Sequence, residues 1–218
     1  MPPTPTSINL LFIGNSFTAR NDLPGKLVGL AAAEGVRIDH RLISVGGASL
    51  RMHWNKGEAP RVIRDVRFDF VVLQEQSTLP VMNAARMHEN VRLFDGAIKE
   101  AGAKMALYQT WARKHAPEAQ QVINEAYESI GKELGATVVP VGRVWEQFIG
   151  KHDRPVLHDR DGSHPTAAGT YLAACVFFKT LLGRSPVGVG TGLEGLDPGE
   201  VKLLQQAAAT VLPKRARA

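Results

Sequence analysis

A single cysteine, Cys175, is the scarcest chemistry in this chain. One thiol cannot close an internal disulfide and cannot build a cysteine-based zinc site. It sits in the apolar run YLAACVFF, where a buried structural thiol is expected rather than a reactive one. No apolar stretch reaches the roughly 20 residues that a membrane helix needs. The opening residues MPPTPTS lack a basic segment, and INLLFIG is short for a leader core, with no small-residue cleavage site behind it. The chain as written is therefore expected in the cytoplasm, or in a secreted or periplasmic location if a leader has been removed.

Several signatures are missing too. There is no G-x-S-x-G nucleophile elbow, no G-x-x-x-x-G-K-[ST] phosphate loop, and no G-x-G-x-x-G after the first strand. His152, His158, Asp159, Asp161 and His164 match no zinc spacing such as H-E-x-x-H. No nucleotide, metal or other cofactor is expected. The formal charge is +5, but Lys214, Arg215 and Arg217 in the tail PKRARA supply three of those charges and leave +2 on the body. With no basic stripe interleaved with aromatics, no nucleic-acid partner is expected; the sequence is silent on oligomeric state.

What is present is an alternation of strand and helix patterns over 218 residues, enough for one large domain spanning 1–218, with residues 1–7 and 213–218 as flexible tails. INLLFIG, VRIDHRLISV, FDFVVLQ, AKMALYQ and ATVVPVG read as strands, and FDFVVLQ is apolar on both faces, as a central parallel strand requires. Between them, DLPGKLVGLAAAEG, one or two short segments in 48–67, NAARMHENVRLFDGAIKEAG and PEAQQVINEAYESIGKELG (opened by Pro117) read as helices. HPTAAGTYLAACVFFKTLLG reads as a buried helix with Pro165 in its first turn, and 197–212 as a final surface helix. The expectation is a three-layer α/β sandwich around a five-stranded parallel sheet, with its site in the loops at the carboxyl ends of the strands. The polar oddities GNSFT, GGAS, QEQST and TWARKH all fall at such ends.

Two fragments carry candidate chemistry. In DRDGSHP, Asp161 and His164 stand three apart, a spacing that lets the carboxylate fold back on the imidazole and fix its tautomer. In GNSFT, Ser16 follows the first strand, either as a cap or as a nucleophile. Trp111, Arg113 and His115 after the fourth strand, and His53 and Trp54 after the glycine block, read equally as pocket lining or packing.

Together these blocks resemble the SGNH (GDSL-like) hydrolase superfamily, from Ile8 to about Leu182. Gly14-Asn15-Ser16 corresponds to its first block and Asp161-Gly162-Ser163-His164-Pro165 to its last. The resemblance implies a flavodoxin-like fold and a Ser16, His164, Asp161 triad. The oxyanion would be held by the backbone N–H groups of Ser16 and Gly47, with Gly46 the alternative to Gly47. Asn15 and Trp111 would line the substrate pocket. The third block departs: the family has G-x-N-D, whose asparagine is an oxyanion donor, and this chain has LQEQS. Gln74, preferred because it ends the strand, or else Gln76 would have to replace that amide. The implied activity is hydrolysis of a short acyl ester, such as a carbohydrate O-acetyl group, through an acyl-enzyme. A non-catalytic ligand-binding domain and an acyltransferase using the same residues are the alternatives.

Overall fold

Why the sequence alternates between strand and helix becomes plain in the computed structural model, which describes residues 7–190, 193 and 195–211. Ser7–Gly14 forms strand β1, followed at once by the one-turn helix α1 (Ser16–Ala19) and then α2 (Leu23–Ala33). Next come β2 (Arg37–Ser44), α3 (Leu50–Lys56), α4 (Glu58–Asp65), β3 (Phe70–Leu73), the short α5 (Leu79–Met82) and the long α6 (Ala84–Glu100). The second half runs β4 (Lys104–Tyr108), α7 (Ala119–Leu134), β5 (Thr137–Val139), α8 (Val141–Ile149), α9 (Ala167–Leu182) and α10 (Pro198–Ala209).

All strand pairs are parallel, in the order β2-β1-β3-β4-β5. The chain therefore leaves β1 toward one side, returns, and places β3 on the other. That reversal makes the carboxyl ends of β1 and β3 the topological switch point, the position where such sheets bind ligands.

Successive side chains on a strand point to opposite faces, so a sheet covered on both sides needs apolar residues at every position. Leu10, Phe12, Val72, Ala106 and Tyr108 enter one core with α2, α8, α9 and α10. Leu11, Ile13, Val71, Leu73, Met105 and Leu107 enter the other with α3, α4, α6 and α7. Helix α9 is buried almost all round, Cys175 included. No helix among the described residues is long and apolar enough to cross a membrane.

Several boundaries differ from the sequence reading. Pro117 stands in a turn and α7 begins at Ala119. Pro165 precedes α9, whose cap is Thr166, and it pairs with His158 in an isolated bridge. The segment ATVVPVG holds a strand of three residues only, because Pro140 ends the ladder and becomes the cap of α8, a helix absent from the sequence reading. Ser7, expected in a tail, is the first residue of β1; the other expected tail residues, 1–6 and 213–218, lie outside the described residues.

Candidate active site

At the end of β1 the chain must turn within two residues, and Gly14 permits it by having no side chain. A Cβ there would lie 2.6 Å from the Gln74 Oε1 and 2.7 Å from the Thr18 Oγ1. Gln74 fills that space as a brace. Its Oε1 accepts from the Asn15 N–H at 2.9 Å and from the Thr18 hydroxyl at 3.0 Å, while its Nε2 donates to the Glu75 carbonyl. Asn15 then caps α1, its Oδ1 accepting from the Phe17 N–H at 3.0 Å, and its Nδ2 donates to the Ala48 carbonyl at 3.1 Å. Ser16 thus starts a helix whose cap and underlying brace are both fixed.

The Ser16 Oγ lies 2.9 Å from the His164 Nε2, across 148 residues of sequence. On the far side of the ring, Nδ1 lies 2.5 Å from the Asp161 Oδ2. An ionised carboxylate can only accept, so Nδ1 carries the proton and Nε2 is free to accept from the serine hydroxyl. The other carboxylate oxygen accepts from the Ser163 and His164 backbone N–H groups, each at 2.9 Å. The His164 bond, followed by those two backbone bonds, holds the Asp161 carboxyl well below the usual carboxylate range. Arg20, at the end of α1, pairs with Asp159 at 2.7 Å and stands 3.9 Å from Asp161, so it flanks the same loop.

Two further devices hold the two chain segments together. Asn21 and its neighbour Asp22 both adopt left-handed backbone, with φ of 56° and 54°. From that conformation the Asn21 amide donates to the Pro165 carbonyl and to the Thr170 Oγ1, both at 3.0 Å, tying the segment that carries Ser16 to the residue after His164. Behind them runs an aromatic stack. Trp145 and Trp111 lie face to face at 3.9 Å, Phe17 stacks on Trp111 at 4.9 Å, and Phe17 meets the His164 ring at 5.4 Å. The Trp111 indole N–H donates to the Ser163 carbonyl at 3.0 Å.

The predicted site residues therefore separate into groups. Ser16, His164 and Asp161 are brought into one hydrogen-bonded line. Gly47 sits in an exposed turn at φ 68°, and among the described residues neither its N–H nor that of Ser16 has a hydrogen-bond partner. Val45 N–H donates to the Gly14 carbonyl, and the His53 Nε2–H does the same at 2.7 Å, which laces the glycine turn to the end of β1. Gln74 is fully buried, with both polar ends engaged inside the protein, and does not reach solvent-open space. Gln76 is half-buried. Its Oε1 accepts from the Thr78 N–H, the Thr78 hydroxyl and the Leu79 N–H, and its Nε2 has no partner among the described residues. Asn15 and Trp111, 2% exposed each, are structural supports and not walls of an open pocket. Trp54 packs edge-on against Phe94 at 5.1 Å. Arg113 and His115 are exposed on the loop after β4, whose Lys114 N–H donates to the Gly162 carbonyl at 2.8 Å. Among the described residues no three acidic, histidine or cysteine side chains gather where they could hold a metal ion.

Asn21, Phe17, Trp145 and the brace role of Gln74 are absent from the sequence reading. A signal exists for Asn21, because Arg-Asn-Asp between two helices is a place where the left-handed conformation is tolerated.

No protein-family model and no curated protein matches this sequence. Solved structures do match. A DUF4886 family protein from Bacteroides uniformis superposes with a TM-score of 0.77 at 24% identity, covering 93% of each chain. A protein assigned to the SGNH hydrolases from Slackia heliotrinireducens gives 0.68 at 27% identity, over 80% of this chain and 99% of that one. The acetylxylan esterase Axe2 from Geobacillus stearothermophilus gives 0.64 at 19% identity, over 79% of this chain and 93% of that one.

Proposed function

We propose, from the premise that this chain belongs to the SGNH hydrolase superfamily, that it is a serine esterase acting through an acyl-enzyme. The observation that carries the reading is the unbroken line Ser16 Oγ, His164 Nε2, His164 Nδ1, Asp161 Oδ2. A hydroxyl that donates to a properly tautomerised imidazole is activated for attack; a serine turned into packed side chains would have favoured a binding domain.

In the forward step Ser16 Oγ attacks the ester carbonyl while His164 Nε2 takes its proton. Asp161 orients the ring and stabilises the imidazolium. The tetrahedral oxyanion is held by the N–H groups of Ser16 and Gly47 and by the Gln76 amide. His164 then gives the proton to the departing alcohol, and water repeats the sequence on the acyl-enzyme. Gln76 is the preferred third donor because three hydrogen bonds fix its oxygen and leave its Nε2 unengaged among the described residues. Gln74 has no such freedom.

The substrate class is a short acyl group on a soluble alcohol. An O-acetylated carbohydrate is the leading candidate, supported by the acetylxylan esterase among the structural neighbours. A fluorophosphonate probe tests the chemistry: it labels the native chain at Ser16 and leaves Ser16→Ala unlabelled. A native protein that neither labels nor cleaves any short aryl ester would overturn the proposal.

A further inference from the structure

Glu75 is a fully buried carboxylate in the LQEQS segment, and the triad does not use it. Its Oε1 accepts from two backbone N–H groups, that of Gln76 at 2.7 Å and that of Leu50 at 3.0 Å. Its Oε2 accepts from the Asn90 Nδ2 at 2.8 Å, and the Asn90 Oδ1 accepts in turn from the Arg51 Nε at 3.1 Å. Among the described residues no cation touches the carboxylate directly; the Arg51 charge stands one amide away. Burial pushes the Glu75 carboxyl above its usual range, and the three N–H donors oppose that shift. A buried acid in such a setting is expensive to keep unless its acceptor capacity is needed.

What the acceptors hold is specific. Leu50 is the first residue of α3, directly after the turn Gly46-Gly47-Ala48-Ser49, so one oxygen fixes where that turn ends. The same oxygen fixes the backbone of Gln76. The second oxygen, through Asn90 on α6 and Arg51 on α3, secures the helix at a second point. A glutamine in this place can offer its single oxygen to the two backbone N–H groups only by turning its own N–H groups toward the Asn90 amide, so it accepts from the first two without the carboxylate's charge and loses the third contact.

We propose that Glu75 is a positioning residue for the oxyanion side of the site: its carboxylate sets the Gly47 turn and the Gln76 backbone relative to each other. The proposal rests on the esterase reading. It gives the LQEQ run three separate duties: Gln74 braces the nucleophile turn, Glu75 couples the two flanking loops, and Gln76 presents the donor.

The test is a double-mutant cycle on the full chain with a short aryl ester, together with amide hydrogen exchange. Glu75→Gln, checked for folding by circular dichroism, is expected to lower kcat about tenfold or more with KM little changed. Gln76→Ala should then cost much less in the Glu75→Gln background than in the native one, because the donor is already misplaced. Exchange at the Leu50 and Gln76 amides should accelerate relative to the rest of the sheet. If Glu75→Gln does not fold, Asn90→Ala, which leaves both backbone contacts in place, should give the same pattern in weaker form. An unchanged kcat, fully multiplicative losses, or unaltered exchange at Leu50 and Gln76 would overturn the proposal. A native protein without esterase activity defeats the esterase reading instead, and the exchange measurement then decides whether Glu75 couples the two loops.

Discussion

The Gln74 side chain occupies the space that a Cβ on Gly14 would need, with its Oε1 2.6 Å from that point. The Gln74 brace of the turn that carries Ser16 and the glycine before it are therefore one structural unit. Gly14→Ala must push Gln74 away from the Asn15 N–H, an overpacking that costs roughly 1–3 kcal/mol. Loss of phosphonate labelling is expected to exceed what the stability change explains, as measured by urea unfolding beside labelling rate. If Gly14→Ala labels at the native rate, the brace has no bearing on Ser16.

Gln76 and Gln74 should fail differently. If Gln76 is the third oxyanion donor, as proposed, Gln76→Ala is expected to lower kcat by about a hundredfold or more, roughly 3 kcal/mol of barrier, with KM nearly constant. Gln74→Ala leaves the Asn15 N–H buried without an acceptor and should lower stability by about 1–3 kcal/mol. Steady-state kinetics and denaturation on both variants separate the roles. Native kcat in Gln76→Ala would remove it from the hole.

Asn21 combines a left-handed backbone with a bond to the Pro165 carbonyl, next to His164. Asn21→Gly keeps the backbone conformation and loses the amide, whereas Asn21→Ala loses both. We expect both variants to be slower in turnover, and Asn21→Ala to be less stable than Asn21→Gly by about 1 kcal/mol. Equal stability would mean the left-handed conformation is not held in solution.

Stability should fall as the solution is acidified through the histidine range. Burial lowers the pKa of His53 and of His158 from 6.5, and each ring donates its Nε2–H to a carbonyl, of Gly14 and of Ala112. Below about 6.5 the unfolded chain binds protons that the folded chain refuses, so the stabilisation present above that pH is lost as pH falls toward the lowered values. Glu75, raised by burial, pulls in the opposite sense, so the comparison is between proteins. Denaturant midpoints from pH 5 to 8 should depend less steeply on pH in His158→Gln than in the native chain; identical slopes would count against a neutral buried His158.

The sheet was legible because its central strands carry apolar residues on both faces, as Phe70–Leu73 does. Helix α8 was not, because Val138, Val139 and Val141 on either side of Pro140 imitate one continuous strand, although Val141, Val144, Trp145 and Phe148 share one helical face. The span of the LQEQS block was visible in sequence, and its assignments were not. Three adjacent side chains there serve three different loops, and only the register of β3 against β1 tells which amide turns inward.

Ser16 and His164, the proposed nucleophile and base, stand 148 residues apart, and between them lie all the crossovers of the sheet. While the chain is being synthesised, Ser16 emerges early and stays an ordinary alcohol until β5 has paired and the segment bearing His164 has docked. Turnover, if the proposal holds, thus reports on a finished molecule: a chain ended before Asp161 carries all five strands but neither α9 and α10, which cover one face of the sheet, nor the proposed base.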